Sequence, residues 1–193
     1  MLSRRLLRIK VAKNLYAHLK SDSTNLKASE KNLIASIDKA YDLYFQMLSL
    51  IVEVARYAES RQEIAKQKKL PTYEDLNPNR RFVDNSVIAL ISNSESVNDE
   101  IATRKISWAN NYDIVKDIYN RMIEADYYQK YMSASISTFT DDRKFVETFF
   151  TSLDEDEALA DVVDDMSLLW NDDLSFALYM AIRTVSTLKQ SHT

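Results

Sequence analysis

The chain has 193 residues, 46% of them hydrophobic and 28% charged, with a formal net charge of −4. That is enough apolar material for a single core, and it is neither a disordered nor a fibrous composition. The chain has no glycine and no cysteine, which excludes the Walker A loop, the dinucleotide fingerprint, the nucleophile elbow, the EF-hand loop, thiol catalysis, cysteine-rich zinc sites and disulfides.

The hydrophobic period is helical almost throughout, with no sustained alternation and no Asn-Gly or Asp-Gly hairpin signal. A first helix is expected over residues 3–20 and a polar loop over 21–25. A long helix follows over 28–69, with Ile34, Ile37, Tyr41, Tyr44, Leu48, Ile51, Ala55 and Ala58 stepping alternately by three and four. Leu33, Ala40, Met47 and Val54 widen that seam, as in a helix buried against two neighbours. Pro71 and Pro78 bracket a non-helical segment, 71–84, in which Asn77-Pro78-Asn79 is turn chemistry.

A short helix over 85–91, a polar stretch over 92–96 and helices over 97–108 and 112–131 come next, the last capped by Asn111. Residues 132–140 read as a connector and 141–153 as a short helix. Ser152 and Glu155 have capping-box spacing, and the following helix carries Leu159, Val162, Val163, Met166, Leu169 and Trp170 on one face. Asn171 is placed as the cap of a last helix running to residue 189. The whole is expected to be one all-α unit over 1–193, a multi-helix bundle of six to eight helices around one long central helix. Its remainder, 85–193, completes the bundle.

Charge is distributed unevenly. Residues 1–20 hold six basic residues and no acid, whereas residues 154–173 hold nine acids and no base. The acidic run reads as the solvated face of a helix, with a metal or basic-partner site as the rival. Arg8, Lys10 and Lys13 interrupt any signal-peptide core, and the apolar runs near 43–52 and 174–182 fall short of the ~20 residues of a membrane span. The expectation is a cytoplasmic protein without membrane contact.

On a helical wheel Val11, Ala12, Leu15, Tyr16 and Leu19 share one stripe, and Arg4, Arg5 and Arg8 extend it one or two turns earlier. If the stripe packs on the core, the arginines must overhang its edge, because an unpaired guanidinium is costly to bury. Lys10 and Lys13 then occupy the opposite, solvated side. An arginine-rich helical end of this kind suits phosphates and splayed RNA bases, since the planar guanidinium pairs with phosphate oxygens and stacks on bases. The competing assignment pairs these arginines with the chain's own acidic helix. His18 reads as a surface or packing residue. Neither His18 nor His192 has a glutamate three residues before it, so the di-iron motif is missing. No nucleophile, base and orienting group stand out together, so no catalytic residue, cofactor or metal site is expected.

Arg4-Arg5-Leu6-Leu7-Arg8, followed by Asn14-Leu15-Tyr16, resembles the opening of the transcription antitermination factor NusB family. Lys39-Ala40-Tyr41-Asp42-Leu43-Tyr44, the stretch from Leu76 through Asn77-Pro78-Asn79-Arg80-Arg81-Phe82-Val83-Asp84 to Asn85, and Trp170-Asn171-Asp172-Asp173 are similar to the enlarged form of that family. The resemblance implies an all-helical, non-enzymatic factor that binds boxA-type single-stranded RNA together with the ribosomal protein NusE. Through them it would act indirectly on the RNA polymerase elongation complex, in antitermination or termination control. By that analogy Arg4, Arg5 and Arg8 contact RNA, and Lys10 and Lys13 are added on charge alone. The family's second helical half has no counterpart before Thr193, where it would begin. A non-enzymatic helical interaction scaffold is the alternative, and a hydrolase built on scattered carboxylates is the third class weighed.

Overall fold

A computed structural model describes residues 4–21, 25–136 and 138–190. The described residues contain no strand and form ten α-helices: α1 Arg4–Lys20, α2 Leu26–Lys66, α3 Tyr73–Leu76, α4 Ser86–Ser92, α5 Glu95–Arg104, α6 Tyr112–Glu124, α7 Asp126–Ser133, α8 Phe139–Ser152, α9 Glu157–Met166 and α10 Leu174–Thr187. Short 3-10 turns at Ala109–Asn111 and Leu168–Trp170 complete the element order. The expected helix start at residue 3, the middle of the 21–25 loop and His192 lie outside the described residues.

The long helix is the axis of the molecule, at 41 residues and about 60 Å. Asn25 caps it by accepting the Ala28 amide. From Ala40 to Ala58 it is buried on nearly every side, and the expected seam residues Leu48, Ile51, Ala55 and Ala58 all lie in the core. α10 packs against both α2 and α8, while α4 and α6 lie along α2. Both tryptophans tie neighbouring segments to the axis. Trp108 Nε1 donates to the Gln46 carbonyl at 3.1 Å, and Trp170 Nε1 donates to the Lys39 carbonyl at 2.8 Å.

Ten helices replace the expected six to eight for identifiable reasons. Residues 112–131 form two helices, because Ala125 is extended at ψ 141°. Ile114, Val115, Ile118 and Met122 are buried on α6, whereas Tyr127, Tyr128 and Tyr131 of α7 meet Phe145 of α8. On one continuous helix those two sets would fall on opposite sides, so the break lets each find its own neighbour. The Pro71-to-Asp84 segment contains the single turn α3, closed by a Thr72–Asp75 capping box.

Two expected caps are displaced. Ser152 is the last residue of α8, its hydroxyl donating to the Phe149 carbonyl, and no capping box forms with Glu155. Buried Asp156 caps α9 instead, accepting the Leu159 amide on Oδ1 while its Oδ2 is ion-paired with Arg121 at 2.7 Å. Asn171 does not cap α10; Asp173 takes that position, one residue after Asp172 turns left-handed at φ 67°. Asn111 occupies its expected place at the start of α6 without a side-chain cap bond.

The 76–85 stretch works as a latch. Asn85 Oδ1 accepts the Val87 and Ile88 amides, and its Nδ2 donates to the Tyr131 hydroxyl at 3.0 Å. Tyr131 in turn donates to Asp142, which also accepts the Ser86 amide and hydroxyl. Arg81 lies 4.7 Å from the Tyr131 ring centroid and donates to the carbonyls of Ala134 and Ile136, holding the α7–α8 connection against the loop.

Candidate functional site

The first helix packs with a different face from the one its apolar spacing predicts. Leu6 and Lys10 are buried, and Leu7, Asn14 and His18 are half-buried on the same side. Val11, Ala12, Leu15, Tyr16 and Leu19, expected on the core, are exposed. The helix is turned over by its lysines. Lys10 Nζ donates to Asp173 Oδ2 at 2.6 Å, and Lys13 Nζ donates to Asp172 Oδ2 at 2.6 Å and to the Asn171 carbonyl at 3.2 Å. Burying a lysine is tolerable only when its charge is met this closely.

Lys10 and Lys13 are expected on the solvated side; Lys10 is buried instead, which corrects its placement, while Lys13 is exposed as expected. Lys10 is 6% exposed and Lys13 is half-exposed, and each is already neutralised by a carboxylate of the chain itself. Burial raises the Asp173 carboxyl above the usual aspartate value, and the Lys10 hydrogen bond opposes that rise. The left-handed turn at Asp172 aims two successive carboxylates at two different lysines, and aspartate is among the few residues that enter this conformation readily. The pairing foreseen between the arginines and the acidic helix is thus made by lysines, and by the final two acids of the run.

Arg4, Arg5 and Arg8 are all exposed, and none forms an ion pair with any described residue. They occupy the first turns of α1, which contain no acid. The guanidinium charges therefore add to the positive end of the helix dipole, and the local field favours anions. Lys20 sits 5.8 Å from the Tyr16 ring centroid further along the outer face. His18 serves packing: its Nδ1 lies 2.7 Å from the Ser29 hydroxyl and ties α1 to α2.

On the packed side, α1, α2 and the 168–170 turn enclose a groove of about 460 Å³, lined by Ile9, Lys10, Ala17, Ala35 and Leu169 among others. Its charged lining residues are Lys10, Lys13 and Asp173, each already engaged in an ion pair. The rest of the acidic run is divided. Asp154, Glu155, Glu157, Asp161, Asp164 and Asp165 are exposed, while Asp156 is buried in its cap. Among the described residues no three His, Cys, Asp or Glu side chains gather in a way that could hold a metal ion, and no helix is long and apolar enough to cross a membrane.

Comparison with protein-family models, with curated proteins and with solved structures finds no match for the chain.

Proposed function

We propose that the protein is an RNA-binding factor of the NusB type, acting in transcription antitermination or termination control with boxA-type RNA and NusE. The observation that carries this reading is the set Arg4, Arg5 and Arg8, three exposed guanidiniums with no ion pair among the described residues, at the positive end of a helix anchored elsewhere. Lys10 and Lys13 position that helix, and the arginines are left to neutralise phosphates and stack on or hydrogen-bond to the bases of a single strand. The sequence resemblance supplies the identity of the RNA and of NusE.

The test is fluorescence anisotropy of a boxA-type RNA and a scrambled control at two salt concentrations, with and without NusE. The chain is compared with its Arg4→Ala/Arg5→Ala/Arg8→Ala variant. Selective, salt-dependent binding that the variant loses supports the reading. Equal binding by both proteins, or no preference over the scrambled RNA, refutes it. The helical-scaffold reading has its own observation, the exposed leucines of the same helix, and predicts a partner protein instead.

A further inference from the structure

Among the described residues, nothing covers one of the two sides of the N-terminal helical hairpin. Through the body α2 is enclosed, but before Ala40 it has no buried residue, and α1, the 168–170 turn and Arg104 of α5, which pairs with Asp38, are its neighbours there. On α1, Val11, Leu15 and Leu19 recur at intervals of four and are 47%, 53% and 74% exposed. On α2, Leu26, Ile34 and Tyr41 are exposed and Leu33 and Ile37 half-buried. The His18–Ser29 contact marks the line along which the helices meet. Both sets are displaced from that line in the same rotational sense, and for antiparallel helices this places them on the same side of the hairpin. The opposite side is the one covered by the 168–170 turn.

Two antiparallel helices with apolar rows facing one way form an open groove that a third helix fills by ridge-into-groove packing. The charge around it selects the kind of helix. By the same rotation Arg4, Arg5, Arg8 and Lys27 fall on or beside that side, are exposed and make no ion pair with described residues, whereas Asp38 is taken by Arg104 and only Glu30 offers an exposed opposing charge. We infer that this face docks an acidic amphipathic α-helix of a partner protein, completing a three-helix bundle along α1. The scaffold reading is its basis, and it is independent of RNA binding.

The chain's own acidic helix cannot be that occupant in a second copy, because Leu159 and Val163, the apolar face of α9, are fully buried in its own core. RNA meets the arginines but offers no counterpart to the leucine rows. A lipid surface would meet both, and is separated by experiment.

The probe is a fluorescein-labelled peptide matching the 17 residues of α1 in length, with leucine at core-facing heptad positions and glutamate and alanine elsewhere. Controls carry lysine for glutamate, or the same residues in scrambled order. The full chain should bind the glutamate peptide at least about tenfold more tightly than either control, and Leu15→Asp/Leu19→Asp should lose about tenfold or more. Leu19→Asp alone, at the most exposed position of the row, gives the same reading should the double variant lose helicity by circular dichroism.

Four results overturn the inference. The first two are binding of the glutamate peptide no tighter than of the scrambled one, and unchanged binding by the variants. The third is sedimentation of the chain as a dimer that Leu19→Asp dissociates, which makes a second copy the occupant. The fourth is retention by phosphatidylcholine vesicles containing about one third phosphatidylserine, with release by Leu19→Asp, which makes the occupant a membrane.

Discussion

Lys10 and Asp173, 163 residues apart in sequence, form a 2.6 Å ion pair with side chains 5% and 3% exposed. This one contact joins the first helix to the start of the last and decides which face of α1 meets the body. Everything proposed for the outer face of α1 follows from it.

Removing either partner should be costly, because it leaves a buried charge without compensation. Lys10→Met or Asp173→Asn should each destabilise the fold by about 3–5 kcal/mol, while Lys10→Met/Asp173→Leu together should cost less than the sum of the two single changes. Urea unfolding of a double-mutant cycle measures this coupling.

The arginines should behave in the opposite way. Arg4, Arg5 and Arg8 are exposed and form no ion pair with any described residue, so replacing all three by alanine should change stability by no more than about 0.5 kcal/mol for each site. The same variant should lose RNA affinity, and the salt slope should fall by about 0.7 for each phosphate contact removed. Thermal unfolding and RNA titrations at several salt concentrations read the two effects separately.

The latch around Asn85 should be sensitive to small changes. Asn85→Ala removes a helix cap and leaves the Tyr131–Asp142 network short of a donor, and should cost about 2 kcal/mol or more. Tyr131→Phe removes a hydroxyl that donates to Asp142 and should cost about 1–2 kcal/mol. Both appear as lower urea midpoints without a change in slope.

Stability should fall in strong acid and again in strong alkali. The hydrogen bonds of Asp75 with Lys68 and of Asp141 with Thr138 hold these carboxyls below the ordinary aspartate value of 3.8. Their contribution is therefore present above that value and lost as pH falls through their lowered folded values. Burial does the reverse to Tyr128, pushing its phenol up to about 12 from 10.0. The folded state then holds a proton that the unfolded state releases, so stability should decline as pH rises from about 10 to about 12. Ultraviolet titration of tyrosinate, paired with unfolding midpoints at each pH, checks both the group and the sign.

The sequence by itself determined the fold class, the long axial helix and its core. The three-four spacing from Ala40 to Ala58 fixes a buried face on α2 whatever packs against it, and the period of the pattern admits no strand. It also located the arginine cluster, since three guanidiniums on one short helix cannot all be buried. Tertiary structure decided what local pattern leaves open. The apolar residues of 112–131 satisfy one continuous helix, yet they serve two neighbours in different directions, and only the positions of α2 and α8 impose the break at Ala125. The caps moved to Asp156 and Asp173 because Arg121 and Lys10 draw those carboxylates from distant elements.

The first helix was misread for the same reason. Its spacing allows two burial faces, one lined by Val11, Leu15 and Leu19 and one by Leu6, Lys10 and Asn14. A lysine on the second face argues against it until Asp173 is seen to be waiting there. Periodicity reports where apolar groups recur along one helix, but it carries no information about a charge brought from the far end of the chain.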